Sequence, residues 1–374
     1  MNSKQRIKNA LLREKTDILP IVNLFDLSFL IKQLKIQEQK VDEFMRDPIA
    51  DIVLFQEEIN HDPIIFLYST QEISATRWYN SFISEENNNS WNITDSICKT
   101  VGNSNIINRI FKTPSGKLNA IYRKDRFTDW VLEYPIKSES DLNLLMYRTD
   151  PQKLDSSSLE EMIIKYKDRA FIVFGISGVW QEACALRGLE NMLYDLYDRP
   201  EWVKSLLEIL CDYTCRIVKK LASSCVDCIM LNESQLGVGI SRDIYRKYIK
   251  QYNEKIVAQI NKIGALSSYH ICGLCNSLLE DMAKSGVTCI EPLAPKEYSG
   301  DVDLKDAAMR VGSKVGLWGG FKERVLCKDR DSLKREVLRC KSEATGSGYV
   351  LRGAGTIYDA RIENLKMIRE FSFL

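Results

Sequence analysis

Histidine is almost missing from this chain: His61 and His270 are the only two in 374 residues. That scarcity excludes any metal or proton-relay site built on several imidazoles. No apolar run approaches the roughly 18 residues that a membrane-spanning helix needs, and the polar start Met-Asn-Ser-Lys-Gln-Arg lacks the pattern of a secretory signal. Charge of one sign is not in excess either. With 52 basic and 51 acidic residues the formal net charge is +1, so no global field draws nucleic acid or an anionic membrane surface. Basic patches interleaved with aromatics are absent, as are glycine-rich phosphate loops and dinucleotide fingerprints. Cysteine is plentiful but odd in number, eleven scattered residues, which fits reduced thiols better than a disulfide framework. These features predict a soluble cytoplasmic protein, in which the sequons at Asn88 and Asn92 go unused.

What is present is a repeated alternation of short β-rich runs and long helical patterns. The runs are 20–25, 51–55, 171–177, 228–234, 266–273, 288–293, 314–320 and 348–353. Their near-continuous apolar character is what strands covered on both faces require. Eight strands alternating with helices predict an α/β fold, a single (β/α)8 TIM barrel spanning residues 1–374. A short leading helix over 3–16 carries Ile7, Leu11 and Leu12 on one face. Another helix opens at Asp198-Arg-Pro-Glu201 in the manner of a capping box, with Trp202, Leu206, Leu210, Tyr213 and Ile217 as its apolar stripe. A third runs from about Asp331, turns Leu333, Val337, Cys340 and Ala344 inward, and stops at Gly346. The polar, turn-rich stretch at about 77–136, with a hairpin-like segment at 111–118, reads as a β-rich insertion between strands two and three.

Functional groups in such barrels sit at the C-terminal ends of the strands. By that rule Asn23 and Asp26 end strand one, Asn232 and Glu233 strand four, His270 and Cys272 strand five, and Glu291 strand six. Trp318, Gly319 and Gly320 end strand seven, and Arg352 ends strand eight. His270 and Cys272 lie two apart on a strand, hence on one face and about 6.5–7 Å apart along it. One imidazole nitrogen and one thiolate at that spacing can reach a single soft ion such as zinc; the plainer alternative is a buried His and a buried Cys side by side. The Cys225/Cys228 and Cys272/Cys275 pairs do not make a four-cysteine site, because they start one strand and end the next, about 16–20 Å apart.

The runs Arg6–Pro20, Trp180–Glu190, Gly237–Tyr245, His270-Ile-Cys-Gly273, Gly300-Asp-Val-Asp-Leu304, Gly316-Leu-Trp-Gly-Gly320 and Glu363-Asn364 together resemble the uroporphyrinogen decarboxylase superfamily, which includes zinc-dependent, corrinoid-linked thiol methyltransferases. The resemblance covers nearly the whole chain and implies a barrel. Porphyrinogen decarboxylation itself is disfavoured, because the arginine-bearing run that follows strand one in that branch is replaced by Phe25-Asp-Leu-Ser-Phe-Leu-Ile-Lys32. The methyltransferase branch implies a His-x-Cys pair plus a third ligand in a Gly-Cys-Gly run on strand eight, where this chain has Gly353-Ala354-Gly355. A metal held by His270 and Cys272 then needs another ligand among Glu291, Glu233 and Cys275, of which Glu291, ending the neighbouring strand, is the most apt; an ion pair between Glu291 and Arg352 or another base is the alternative.

Three functional readings follow. The first is a methyltransferase-like enzyme with zinc on His270, Cys272 and Glu291, taking a methyl group from a corrinoid carried by a partner protein. This chain lacks the Asp-x-His-x-x-Gly corrinoid signature. In that reading Glu233 orients the substrate or accepts its proton, and Asn23, Asn232, Trp318, Gly319, Gly320 and Arg352 bind a small-molecule substrate. The second is a metal-free lyase that anchors a carboxylate on Arg352, with Asp26 or Glu233 as the acid–base. The third is a non-catalytic binding barrel.

Overall fold

The computed structural model describes residues 1–69, 81–83, 88–125, 129–346 and 348–374. Its framework is a curled parallel sheet. The strands in chain order are β1 (Ile64–Ser69), β2 (Ser81–Ile83), then β3 (Asn92–Val101), β4 (Ser104–Thr113), β5 (Gly116–Lys124) and β6 (Asp129–Glu133) of a separate sheet. The main sheet continues with β7 (Phe171–Ser177), β8 (Cys228–Asn232), β9 (Leu266–His270), β10 (Cys289–Glu291), β11 (Gly316–Trp318) and β12 (Tyr349–Val350). Seven of these, β1 and β7 to β12, lie side by side in sequence order with helices between them, and β2 adds to the β1 edge. The 20–25 stretch forms no regular strand. It makes isolated parallel bridges at Ile21–Leu351 and Phe25–Ile357, and the Asp62 N–H donates to the Ile21 carbonyl at 2.8 Å.

The expectation of a strand over 51–55 is corrected. Those residues belong to the helix Ile49–Glu58, which turns Ile49, Val53 and Gln56 inward at helical spacing. The second strand is the Ile64-Ile-Phe-Leu-Tyr68 run instead. A short apolar run does not reveal its own period. The expected capping box at Asp198 is also absent: Asp198 closes one helix, and the next, Pro200–Lys220, opens with proline in its first turn and no side-chain cap. Its stripe is in place, with Leu206, Leu210, Tyr213 and Ile217 buried. The helix Arg330–Glu343, capped by Asp329, buries Leu333, Val337 and Cys340 as expected.

Inside the curl, Phe66, Tyr68, Val173, Met230, Cys289, Trp318 and Val350 form a core of their own. The leading helix Ser3–Leu11 closes the lower end of that core with Ile7, Ala10 and Leu11. Its approach explains two glycines at strand starts. A Cβ at Gly316 would lie 2.5 Å from the Leu11 carbonyl oxygen, and one at Gly348 would lie 2.1 Å from that of Ala10. The insertion between β1 and β7 contains the antiparallel sheet β3-β4-β5-β6, with the tight hairpin at 113–116 that the sequence suggested. Residues 77–80, 84–87 and 126–128 of that expectation fall outside the described residues.

Candidate functional site

Strand register determines which groups meet. Ser177 pairs with Asn232, Asn232 with His270, and His270 with Glu291, so four adjacent strand ends form one layer. Ser268 shares a face with His270, and its hydroxyl donates to Glu291 Oε1 at 2.8 Å. The other carboxylate oxygen, Oε2, takes a hydrogen bond from Arg352 Nη1 and faces His270 Nδ1 at 3.6 Å. Beyond the strand, the chain brings Cys272 back so that its Sγ lies 3.0 Å from His270 Nε2. The Cys272 residue is exposed, His270 is mostly covered and Glu291 is fully buried.

Glu291 and Arg352 form a buried ion pair, and the arginine is caged. Its guanidinium carbon sits 5.2 Å from the centre of the Phe66 ring and 5.4 Å from that of Trp318. Burial pulls the guanidinium below its ordinary pKa. A charge this deep persists because the partner is charged and the rings offer their negative faces. Phe66 also helps line a cavity bounded by Asn23, Phe25, Gln56 and Tyr68. As a free anchor for a substrate carboxylate, Arg352 is already neutralised.

Crowding of the sulfur by protein would raise the Cys272 thiol. The charge of His270, its hydrogen bond to the sulfur, the nearby Ser234 hydroxyl and the charge of Arg352 outweigh it and bring the pKa down to about 6.

The remaining expected residues are held elsewhere. Glu233 is buried at the start of the helix Val179–Arg187 and accepts the backbone N–H groups of Trp180 at 3.2 Å and Gln181 at 2.7 Å. Burial lifts its pKa to about 7 in spite of those amides. Asp26 caps the helix Leu27–Gln33 by accepting the Ser28 N–H at 2.8 Å. Asn23 is buried, accepts the Gly353 N–H at 2.9 Å and meets His61 at 3.4 Å. Asn232 accepts the backbone N–H and the hydroxyl of Ser234. Trp318 is buried beneath Arg352, and Gly319 passes so close to Pro292 that a Cβ would lie 1.8 Å from its carbonyl oxygen. The Gly320 N–H donates to that same oxygen at 2.9 Å. Ser268, Ser234 and Phe66 were missed. Ser268 was legible from its period-two spacing to His270, whereas Phe66 was hidden in the unrecognised strand.

Zinc was expected on His270, Cys272 and Glu291, and the residues present do not fit it. Cys272 lies on the Nε2 side of the imidazole and Glu291 on the Nδ1 side, so the ring stands between the two would-be ligands. Glu291 is also committed to Arg352 and Ser268. Ala354, in the Gly-Ala-Gly run, offers no donor atom in its side chain, and Cys275 is buried with its N–H turned to Asp301 at 2.8 Å. Among the described residues, no group of three or more His, Cys, Asp or Glu side chains is placed to hold a metal ion.

A sulfur–imidazole pair at the end of a curled parallel sheet now has a family to belong to. Residues 131–372 match the family described as Uroporphyrinogen decarboxylase (URO-D), and the chain belongs to that family. It is 22% identical over 247 residues to the methylcobamide:CoM methyltransferase MtbA of Methanosarcina mazei, covering 64% of this chain and 70% of the relative. It is 26% identical over 188 residues to the uroporphyrinogen decarboxylase of Ruthia magnifica, covering 47% of this chain and 52% of that enzyme, about half its length. A solved methyltransferase from Methanosarcina mazei superposes with a TM-score of 0.67 at 15% identity, covering 100% of this chain and 98% of that one. A B12-independent methionine synthase from Shewanella gives 0.51 at 11% identity, over 91% and 89% of the two chains. At such identities the structural likeness shows the shared fold. Among the described residues, no helix is long and apolar enough to cross a membrane.

Proposed function

We propose that this chain is a cytoplasmic, methyltransferase-like enzyme that moves a methyl group to the sulfur of a small thiol, at the rim where His270 and Cys272 meet. The 20–25 stretch serves as the remaining stave of a (β/α)8 barrel, since its backbone is bonded both to Leu351 and to the residue leading into β1. The methyl donor is a methyl-corrinoid carried by a partner protein docked at the barrel mouth, in keeping with the similarity to a methylcobamide-using relative. The observation that carries this reading is the 3.0 Å approach of His270 Nε2 to a sulfur.

Behind the ring stands the Glu291 carboxylate, 3.6 Å from Nδ1. A small thiol seated beside Cys272 hands its proton to the Cys272 sulfur, whose charge the His270 Nε2–H supports, and its own sulfur attacks the methyl carbon. The carbon–donor bond breaks and its electron pair stays with the donor. Arg352 pairs with Glu291 and keeps the carboxylate behind the ring, facing His270 Nδ1. Zinc, when bound in related enzymes of this kind, would lower the thiol pKa; the donor set does not fit it here, and no step depends on it.

Incubation with methylcobalamin and a panel of small thiols, CoM among them, tests the reading. Thiol-dependent loss of the methylcobalamin absorbance is expected, with the rate falling by roughly 100-fold or more in His270→Ala. Absence of thiol-dependent demethylation, or an undiminished rate in His270→Ala, would overturn it.

A further inference from the structure

The misfit between this site and zinc leaves three groups in a row that need an account. We infer that Cys272, His270 and Glu291 form a metal-free nucleophile relay, and that Cys272 is a covalent modification site for soft alkylating electrophiles. The order of the groups is that of an activated nucleophile: sulfur, imidazole, orienting carboxylate. Cys272 Sγ is 3.0 Å from one ring nitrogen, and Glu291 Oε2 is 3.6 Å from the other. His270 Nδ1 is buried and makes no hydrogen bond, so the carboxylate it faces acts through charge. The two ends differ in access as the role requires: the sulfur residue is exposed and the carboxylate fully buried. Glu291 is itself held by Ser268 and by the caged Arg352, which keeps its charge behind the ring.

The chemistry balances without a metal or a redox partner. The Cys272 proton passes to His270 Nε2, a bond forms between Sγ and the electrophilic carbon, and the carbon's bond to its leaving group breaks. The leaving group departs with the electron pair, and His270 returns its proton to water. With iodoacetamide the product is carboxamidomethyl-Cys272 and iodide. The inference stands apart from the methyl-transfer reading: a protein that moves no methyl group can still carry this thiol.

Limited labelling of the folded chain with iodoacetamide at neutral pH, read site by site by mass spectrometry, tests it. The exposed Cys98, Cys225 and Cys327 serve as internal standards and the buried Cys184 and Cys228 as reporters of folding. Cys272 is expected to react at least about 10-fold faster than the three standards. That advantage should vanish in His270→Ala, fall in Glu291→Gln and stay unchanged after treatment with 1,10-phenanthroline. Should His270→Ala expose the buried reporters, His270→Gln takes its place. A Cys272 rate no greater than the standards, or a rate that rises when chelator is added, would overturn the relay. Fast Cys272 labelling with no methyl transfer to any thiol would overturn the proposed function and leave the relay standing.

Discussion

Glu233 and Glu291 follow or end neighbouring parts of one sheet rim, and both are fully buried, yet the molecule uses them in opposite ways. Glu233 has spent both oxygens on the backbone N–H groups at the start of a helix, with no ion pair among the described residues. Glu291 is matched by a buried arginine and a serine hydroxyl, and one of its oxygens still faces an imidazole. Position at a strand end therefore brings groups to a rim but does not assign their work. The partner does: amides turn a carboxylate into a structural clamp, and a caged cation turns one into a fixed charge behind the imidazole of His270.

Removing that cation should have the largest effect. Arg352→Ala leaves Glu291 buried and uncompensated, and urea unfolding should show a loss of about 3–5 kcal/mol. A double Glu291→Gln/Arg352→Met variant should recover most of it while still slowing Cys272 labelling. A small loss in Arg352→Ala would erase the distinction between the two carboxylates. The clamp should reveal itself through pH instead. Because the folded-state pKa of Glu233 is raised to about 7, the folded chain binds a proton that the unfolded chain has already released. Stability is thus greatest below the unfolded value of about 4.5 and declines as pH rises through about 7, by on the order of 3 kcal/mol. Glu233→Gln should flatten that slope, as followed by urea midpoints between pH 5 and 8.

Two smaller effects sharpen the comparison. Asn23→Ala strands the buried Gly353 N–H and should cost about 1–3 kcal/mol. Asp26→Ala removes only the cap of a seven-residue helix and should cost about 1 kcal/mol in the same assay.

The strand–helix alternation and the meeting of His270, Glu291 and Arg352 at one rim were legible, because the strand-end rule acts on local sequence; Cys272 was expected two along the strand from His270, but the strand ends at His270 and a turn in the chain brings the sulfur back to the ring. The Glu291–Arg352 pair was legible as an alternative to ligation, and it is what formed. Two things were not legible. The 51–55 and 64–68 runs are similarly apolar and β-branched, and only packing against the sheet decides that one coils and the other extends. The roles of Glu233, Asp26 and Asn23 depend on which backbone N–H groups lie opposite them, and those belong to segments distant in the chain or to turns whose geometry the residue types leave open.

The central claim is that His270 and Cys272 form a reactive pair and not half of a zinc centre. Elemental analysis of the untagged protein, purified without added metal, tests it most directly. The account predicts less than about 0.1 zinc per chain, the same in wild type and His270→Ala. About one zinc per chain in the wild type, lost in His270→Ala, would contradict it.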